Sequence, residues 1–248
     1  MAETWDSIAD WYAALVRGGS AMHEFSRDIL LSVLPPTLPG GHVFDVGCGE
    51  GILSRAIAVR GATVVGLDPT MRLIAHAQAA EQAHPTAATY RRDDGQTLST
   101  VDSESMDWVT AALSLNNIPD LHTAIGSIKR VLKVEGKFAF TVPHPCFDAP
   151  SAGSVIVDGH QRRVIGEYLA EGFWRSTHLQ SVRRAGNYHR TIATYMTALT
   201  DHGLSVEVFA EPRPNQEVAA ENPHRGAFPP FLLIRAARRV TNVAGHHI

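Results

Sequence analysis

The stretch Val43-Phe44-Asp45-Val46-Gly47-Cys48-Gly49-Glu50-Gly51 constrains this chain more than any other, because an apolar run of strand character ends in three glycines at alternate positions and a helical pattern follows. Glycine removes Cβ where the backbone must bend and lets a ligand come close. The first turn of the following helix presents N–H groups that have no intrahelical partner. Such a turn points to a bound ligand, and its spacing rejects two ligand classes. A dinucleotide fingerprint carries its third glycine three positions after the second; here it comes one residue early, at Gly51, and Ile52 stands in its place. No lysine-plus-hydroxyl pair follows, which removes a P-loop.

From Gly41 onward short apolar runs alternate with helical segments, the pattern of βα units and of a parallel sheet covered on both faces. Strands are predicted at 42–46, 63–67, 88–91, 107–113 and 136–142, with helices at 51–60, 70–83 and 120–133. Gly61 ends the first of these helices and Pro69 opens the second near its first position. Two amphipathic helices, 4–16 and 21–33, precede the sheet as a cap within 1–39. After Pro143 the alternation stops, and 144–188 reads as an insertion or lid between the 40–143 core and the remaining core at 189–248. In that last part a helix is predicted at 189–202, a strand at 204–210, a proline-rich connection at 212–230 and a final strand at 231–237. The whole chain is read as one α/β domain.

With 44% hydrophobic residues the chain can bury a sizeable core, and its formal charge of −3 argues against a protein devoted to neutralising phosphates. The arginine pairs are scattered, as on a solvated surface. Cys48 and Cys146 do not suggest a disulfide framework, which fits a reducing cytosol. The start, MAETWDSIADWY, lacks a basic region followed by an apolar run, and no apolar stretch has the length to span a bilayer. Nucleic-acid and membrane partners are therefore not expected, and no metal-ligand cluster stands out.

The acids near the turn narrow the ligand. Asp45 precedes the turn, the second strand ends in Asp68, and the third in Arg92-Asp93-Asp94-Gly95. A carboxylate at the end of the second strand can accept from both ribose hydroxyls of a nucleoside lying across the strand ends. A further carboxylate can take the exocyclic amine of an adenine. Nucleotide phosphates would be repelled by so many acids, so the site suits a ribonucleoside without phosphate.

Residues 40–142 resemble the class I S-adenosylmethionine-dependent methyltransferases, in the small-molecule branch that includes the UbiE-like, type 11 enzymes. FDVGCGEG is similar to their first motif, GLDPT to the segment that bears the ribose acid, RRDDGQTL to the adenine turn, and LHTAIGSIKRVLKVEGKFAFTVP to the helix and fifth strand. The resemblance implies a Rossmann-like, seven-stranded, mainly parallel sheet whose last strand runs antiparallel between its neighbours. It implies S-adenosylmethionine as cofactor, with Asp45, Gly47, Gly49 and Gly51 near its methionine and sulfonium end, Asp68 and Pro69 at the ribose, and Asp94, Asp93 and Gly95 at the adenine. Tyr12 is expected to close over the methionine carboxylate and Leu113 to touch the cofactor; Cys48 is read as a small residue filling a tight turn, not as a nucleophile.

Methyl transfer requires little machinery beyond holding the acceptor in line and excluding water. A base helps when the acceptor is a hydroxyl or a protonated amine, and histidine suits the task. His144, in Pro143-His144-Pro145-Cys146-Phe147 at the carboxyl edge of the fifth strand, is the first candidate for base or acceptor contact; shaping the turn between two prolines is its structural alternative. Phe147, Tyr168, Phe173 and Trp174 are candidate lid residues over the acceptor, with His178, Tyr188 and His189 on its far wall. Asn116-Asn117-Ile118-Pro119 does not match the D/N-P-P-Y/F motif of methyltransferases that act on nucleobase nitrogens. The expected acceptor is a hydroxyl or nitrogen of a metabolite, with specialised natural-product biosynthesis as the setting and a monomer or homodimer as the working form. RNA or protein methylation, and a silent cofactor-binding protein, are the rivals.

Overall fold

The computed structural model describes residues 3–221 and 226–239. Parts of the expected spans 1–39, 212–230 and 189–248, namely 1–2, 222–225 and 240–248, lie outside the described residues.

A seven-stranded sheet forms the centre. Its strands are β1 His42–Val46, β2 Thr63–Asp68, β3 Thr89–Arg92, β4 Met106–Ala112, β5 Leu132–Pro143, β10 Leu204–Ala210 and β11 Phe231–Arg238. They lie in the order β10-β11-β5-β4-β1-β2-β3. All pairings are parallel except those of β11, which runs antiparallel to both β5 and β10. The sheet is thus the Rossmann-like, mainly parallel one expected.

Both faces of the sheet are covered, so its strands alternate between two hydrophobic clusters rather than between core and water. Phe44, Val109, Phe138 and Phe140 point into one cluster together with Ile125 and Ile128 of α5 (Leu121–Val131) and Leu199 of α6 (Ile192–Asp201). Val43, Trp108 and Ala139 point into the other with Leu53 and Ile57 of α3 (Ile52–Ala58) and Ile74 of α4 (Met71–Ala83). The neighbours of β1 are reached by crossovers on opposite sides, β2 to one side and β4 to the other. The carboxyl ends of β1 and β4 therefore flank the switch point where open α/β sheets bind ligands.

The two cap helices, α1 Trp5–Arg17 and α2 Ala21–Leu31, lie beside those ends. Thr4 and Ser7 form a reciprocal cap at the start of α1, and Asp10 ties α1 to α4 through His76 (2.9 Å) and Arg72. Phe25 of α2 stacks on Phe231 at 6.0 Å, and Ser26 bonds Thr141 at 2.8 Å.

The segment after β5 is more regular than its composition suggests. Hairpin β6 (Gly153–Val157) with β7 (His160–Val164) is followed by β8 (Gly172–Trp174), which pairs with β9 (Asn187–His189). The predicted helix at 189–202 starts only at Ile192, because Asn187–His189 is drawn into strand pairing and Thr191 caps the helix by accepting from Thr194 N. The proline-rich connection also contains a short helix, α7 Gln216–Glu221. No helix among the described residues is long and apolar enough to cross a membrane, and no cluster of His, Cys, Asp and Glu there has the arrangement of a metal site.

Candidate cofactor and acceptor site

The glycine turn adopts backbone that side chains resist, with φ of +68°, +56° and +86° at Gly47, Gly49 and Gly51. Gly47 N and Cys48 N both donate to Leu67 O, at 2.7 and 2.9 Å, which ties the turn to β2. A Cβ on Gly47 would stand 2.3 Å from that of Ser114, so the turn and the end of β4 touch without room for a side chain.

Asp45 lies beneath the turn, 1% exposed, where Ser54 Oγ donates to it at 2.6 Å and Thr110 Oγ1 at 3.1 Å. Burial pushes its carboxyl up to about 6, against the lowering effect of those two donors. It braces β1 against α3 and β4 and lines only a small cleft next to Tyr12 and Gly47. Gly51 likewise stays behind the turn, at the start of α3, with Tyr90 and Arg55 against it.

In front of the turn is a cavity of about 300 Å³, lined by Gly47, Gly49, Asp68, Pro69, Asp94 and Gly95, with Tyr12, Leu113 and Asn117 at one end. Asp68 is 6% exposed; Oδ2 accepts from Gly49 N at 3.0 Å and Oδ1 from Thr70 N at 2.8 Å. Burial raises its pKa, the two backbone donors oppose the rise, and each oxygen keeps a further lone pair for a ligand hydroxyl. Asp94 faces the cavity while Oδ1 accepts from Gln96 N and Thr97 N, both at 2.9 Å, which hold its carboxyl below the usual range despite some burial. Asp93 turns inward, accepting from Gly95 N at 3.0 Å and Thr100 Oγ1 at 2.8 Å; it does not line the cavity, which corrects its expected place beside Asp94.

Two carboxylates line this cavity and no Lys, Arg or His does. It therefore disfavours a phosphate and suits a ligand with hydroxyl donors and positive charge, so its chemistry fits an adenosyl sulfonium. Gly49 provides the close approach: a Cβ there would lie 3.3 Å from the Tyr12 ring. Tyr12 sits edge-on to Trp5 and to His23, each at 5.3 Å. Burial first, then the carboxylates of Glu50 and Asp68, push the Tyr12 hydroxyl upward, so it remains a donor.

A second cavity of about 310 Å³ adjoins the first, and both are lined by Trp5, Tyr12, Leu113 and Asn117. Its other walls come from the cap (Met22, His23), from Asn116, from Phe231, and from 180–183 of the insertion. Leu113 sits in left-handed backbone at φ +54°, where its N donates to Thr141 O at 2.9 Å; this conformation carries β4 into the shared wall. Arg190 straps the next segment, donating to Leu115 O at 3.0 Å, Ile118 O at 2.6 Å and Pro119 O at 2.9 Å.

The residues expected at the acceptor line neither cavity. His144 is 1% exposed, bonds Glu211 Oε1 through Nε2 at 2.8 Å and accepts from Cys146 N at Nδ1, 3.2 Å away. Both ring nitrogens are engaged and it lines neither cavity, so the ring shapes the turn after β5. Phe147 packs between His144 and Phe228. Tyr168 accepts from Ile192 N at 3.0 Å, and His189 Nε2 bonds the Tyr168 carbonyl at 2.8 Å. Tyr188 packs on Phe173 and Arg190, and His178 is exposed. Trp174 lies under Arg183, which itself reaches the second cavity. None of these six side chains lines either cavity; β8 and β9 pair with each other, and Phe173 and Tyr188 pack together across that pair.

Trp5, Met22, His23, Asn116 and Arg183 carried no signal of their own. Only the placement of Asn116 and Asn117 just past a strand's carboxyl end could have marked them.

Comparison with known proteins agrees with this geometry. The family described as "Methyltransferase domain" matches residues 44–140. A ubiquinone biosynthesis O-methyltransferase of Pseudomonas syringae pv. tomato is 38% identical over 104 residues, which is 42% of this chain and 45% of that relative. The chain thus matches less than half the length of such relatives. The crystal structure of an S-adenosylmethionine-dependent methyltransferase from Mesorhizobium loti superposes with a TM-score of 0.73 at 29% identity, covering 89% of this chain and 99% of the other. A candidate methyltransferase of the same dependence from Listeria monocytogenes gives 0.74 at 26% identity, covering 90% and 100%.

Proposed function

We propose that this chain is a class I S-adenosylmethionine-dependent methyltransferase and that it transfers the cofactor's methyl group to a hydroxyl or nitrogen of a small-molecule acceptor. The observation that carries this reading is the wall of Tyr12, Leu113 and Asn117 common to the two cavities. A group leaving one cavity at that wall enters the other. S-adenosylmethionine supplies an electrophilic methyl on a positively charged sulphur. The chain's own residues bind and orient: Asp68 takes the ribose hydroxyls, Asp94 and Gly95 the adenine edge, Gly47 and Gly49 the backbone approach, and Tyr12 covers the methionine end.

The cap and part of the insertion wall off the acceptor cavity, which supports in-line displacement with water excluded. Relatives named for ubiquinone biosynthesis support a small acceptor. Specialised natural-product metabolism in the cytoplasm is the setting we assign, with a monomer or homodimer acting without nucleic acid. His144 is not given the role of base, since both its nitrogens are occupied.

The test is calorimetric binding of S-adenosylmethionine to the wild-type chain and to Asp68→Ala. A loss of at least tenfold in affinity is expected, since ribose contacts and the Gly49 and Thr70 anchors go together; unchanged affinity refutes the cofactor site. Incubation with methyl-labelled cofactor and metabolite extracts then identifies the acceptor. Tight cofactor binding with no labelled product would favour the silent binding protein.

A further inference from the structure

One imidazole lines the second cavity, and the N-terminus of its helix is built around it. His23 is the third residue of α2, and Ser20 is the N-cap. An N-cap serine ordinarily accepts from the backbone N–H two or three residues on. Ser20 makes no such bond; its Oγ instead meets His23 Nδ1 at 2.8 Å. That contact fixes the ring and leaves Nε2, which has no protein partner among the described residues. The ring lies against Tyr12, one of the residues shared by the two cavities, and is therefore next to the wall where the methyl group crosses.

The charged groups around it are committed elsewhere. Arg27, one turn along α2, pairs with Asp28 at 2.7 Å. Asp45, across the small cleft, is held by Ser54 and Thr110. Arg183, on the insertion side of the cavity, pairs with Asp148 at 3.1 Å, and the Tyr12 hydroxyl stays protonated. Burial lowers the His23 pKa to about 4, so the ring is neutral near pH 7.

The same cavity says what it accepts. Asn116 is 7% exposed, and its Oδ1 is buried without a hydrogen-bond partner, so a ligand donor is wanted there. No Asp or Glu lines the cavity, so an ammonium group would enter without a counter-charge. Trp5, Met22, Leu113 and Phe231 give it flat apolar walls.

We propose that His23 is the general base of the transfer and that the acceptor is an uncharged aromatic hydroxyl compound, an inference that rests on the methyl-transfer reading above. The acceptor oxygen forms its bond to the methyl carbon while the carbon–sulphur bond breaks, its electron pair remaining on sulphur. The hydroxyl proton passes to His23 Nε2 and then to solvent. A weak base suffices, because the hydroxyl becomes far more acidic as the new bond forms. A neutral ring is always ready to accept the proton.

The experiment compares wild type, His23→Gln and Ser20→Ala on a series of substituted phenols, from unactivated phenol to nitrophenols already ionised at the assay pH. S-adenosylmethionine affinity is measured in parallel by calorimetry. Turnover of un-ionised phenols by His23→Gln should fall about 10²–10⁴-fold, and the deficit should shrink toward unity for the ionised ones. Ser20→Ala should show the same trend with a smaller loss, and both variants should bind cofactor as wild type does. An equal loss on every phenol, or weakened cofactor affinity in His23→Gln, overturns the base role. Amines methylated while no phenol is, or no phenol turned over although cofactor binds, overturns the hydroxyl assignment and leaves the cofactor reading standing. Failure of the wild-type chain to bind cofactor removes the methyl-transfer reading itself.

Discussion

Gly47→Ala tests the turn at its tightest point. The new Cβ would lie 2.3 Å from Ser114 Cβ and 3.0 Å from its Oγ, in backbone at φ +68°. Ser114 has little freedom to retreat, being 6% exposed with its Oγ donating to Val46 O at 2.5 Å. Left-handed backbone costs a non-glycine residue ~1–2 kcal/mol, and overpacking adds ~1–3 kcal/mol. The sum, about 2–5 kcal/mol, is a large part of the ~5–15 kcal/mol that holds a typical domain folded. Urea denaturation should show a lower midpoint with an unchanged slope. Ser114→Gly in the same chain removes the clashing Cβ, so the double variant should recover the overpacking share, a coupling of about 1–3 kcal/mol, and leave the backbone share. A Gly47→Ala chain of wild-type stability, or a double variant showing no coupling, refutes this account of why the turn needs glycine.

Other outcomes follow from single groups. The Asp45 carboxyl is raised by burial to about 6 from an ordinary 3.8, so the folded state holds its proton more tightly than the unfolded state. Its stabilising share is whole below pH 4 and lost as pH rises to 6, amounting to about 3 kcal/mol. Asp45→Asn should therefore lose that part of the wild-type slope in pH-dependent denaturation. Arg190→Met strands three carbonyls of 115–118 and Pro119 and should cost roughly 3 kcal/mol or more, with a raised KM for acceptor because Asn116 and Asn117 lie in the strapped segment. His144→Ala removes two part-buried hydrogen bonds and should lower stability by ~1–2 kcal/mol in a thermal melt, with cofactor affinity kept and kcat reduced less than about tenfold, well short of the loss of a general base; a collapse of turnover would return His144 to the site.

Whatever depends on local pattern was legible in the chain itself. The alternation of apolar runs with amphipathic helices pointed to a parallel sheet, because a helix between successive strands returns the chain to the end from which the last strand began. The glycine turn was legible from spacing, since the left-handed backbone at 47, 49 and 51 favours glycine. Asp68, at the end of a strand next to that turn, had its place for the same reason.

Tertiary structure decided which polar residues face a cavity. Asp93 and Asp94 are adjacent and chemically identical, and only the hydrogen bonds of Thr100 and Gly95 turn one inward. His144 had the right chemistry at the right strand end, yet Glu211 and Cys146, each from its own stretch of loop, occupy its nitrogens. His23 looked like one polar residue on a cap helix, and it enters the site because α2 packs through Phe25 and Ser26 onto β11 and β5. Spacing along the chain reports which face of its own element a side chain occupies. Which cavity that face meets is settled by packing between elements far apart in sequence.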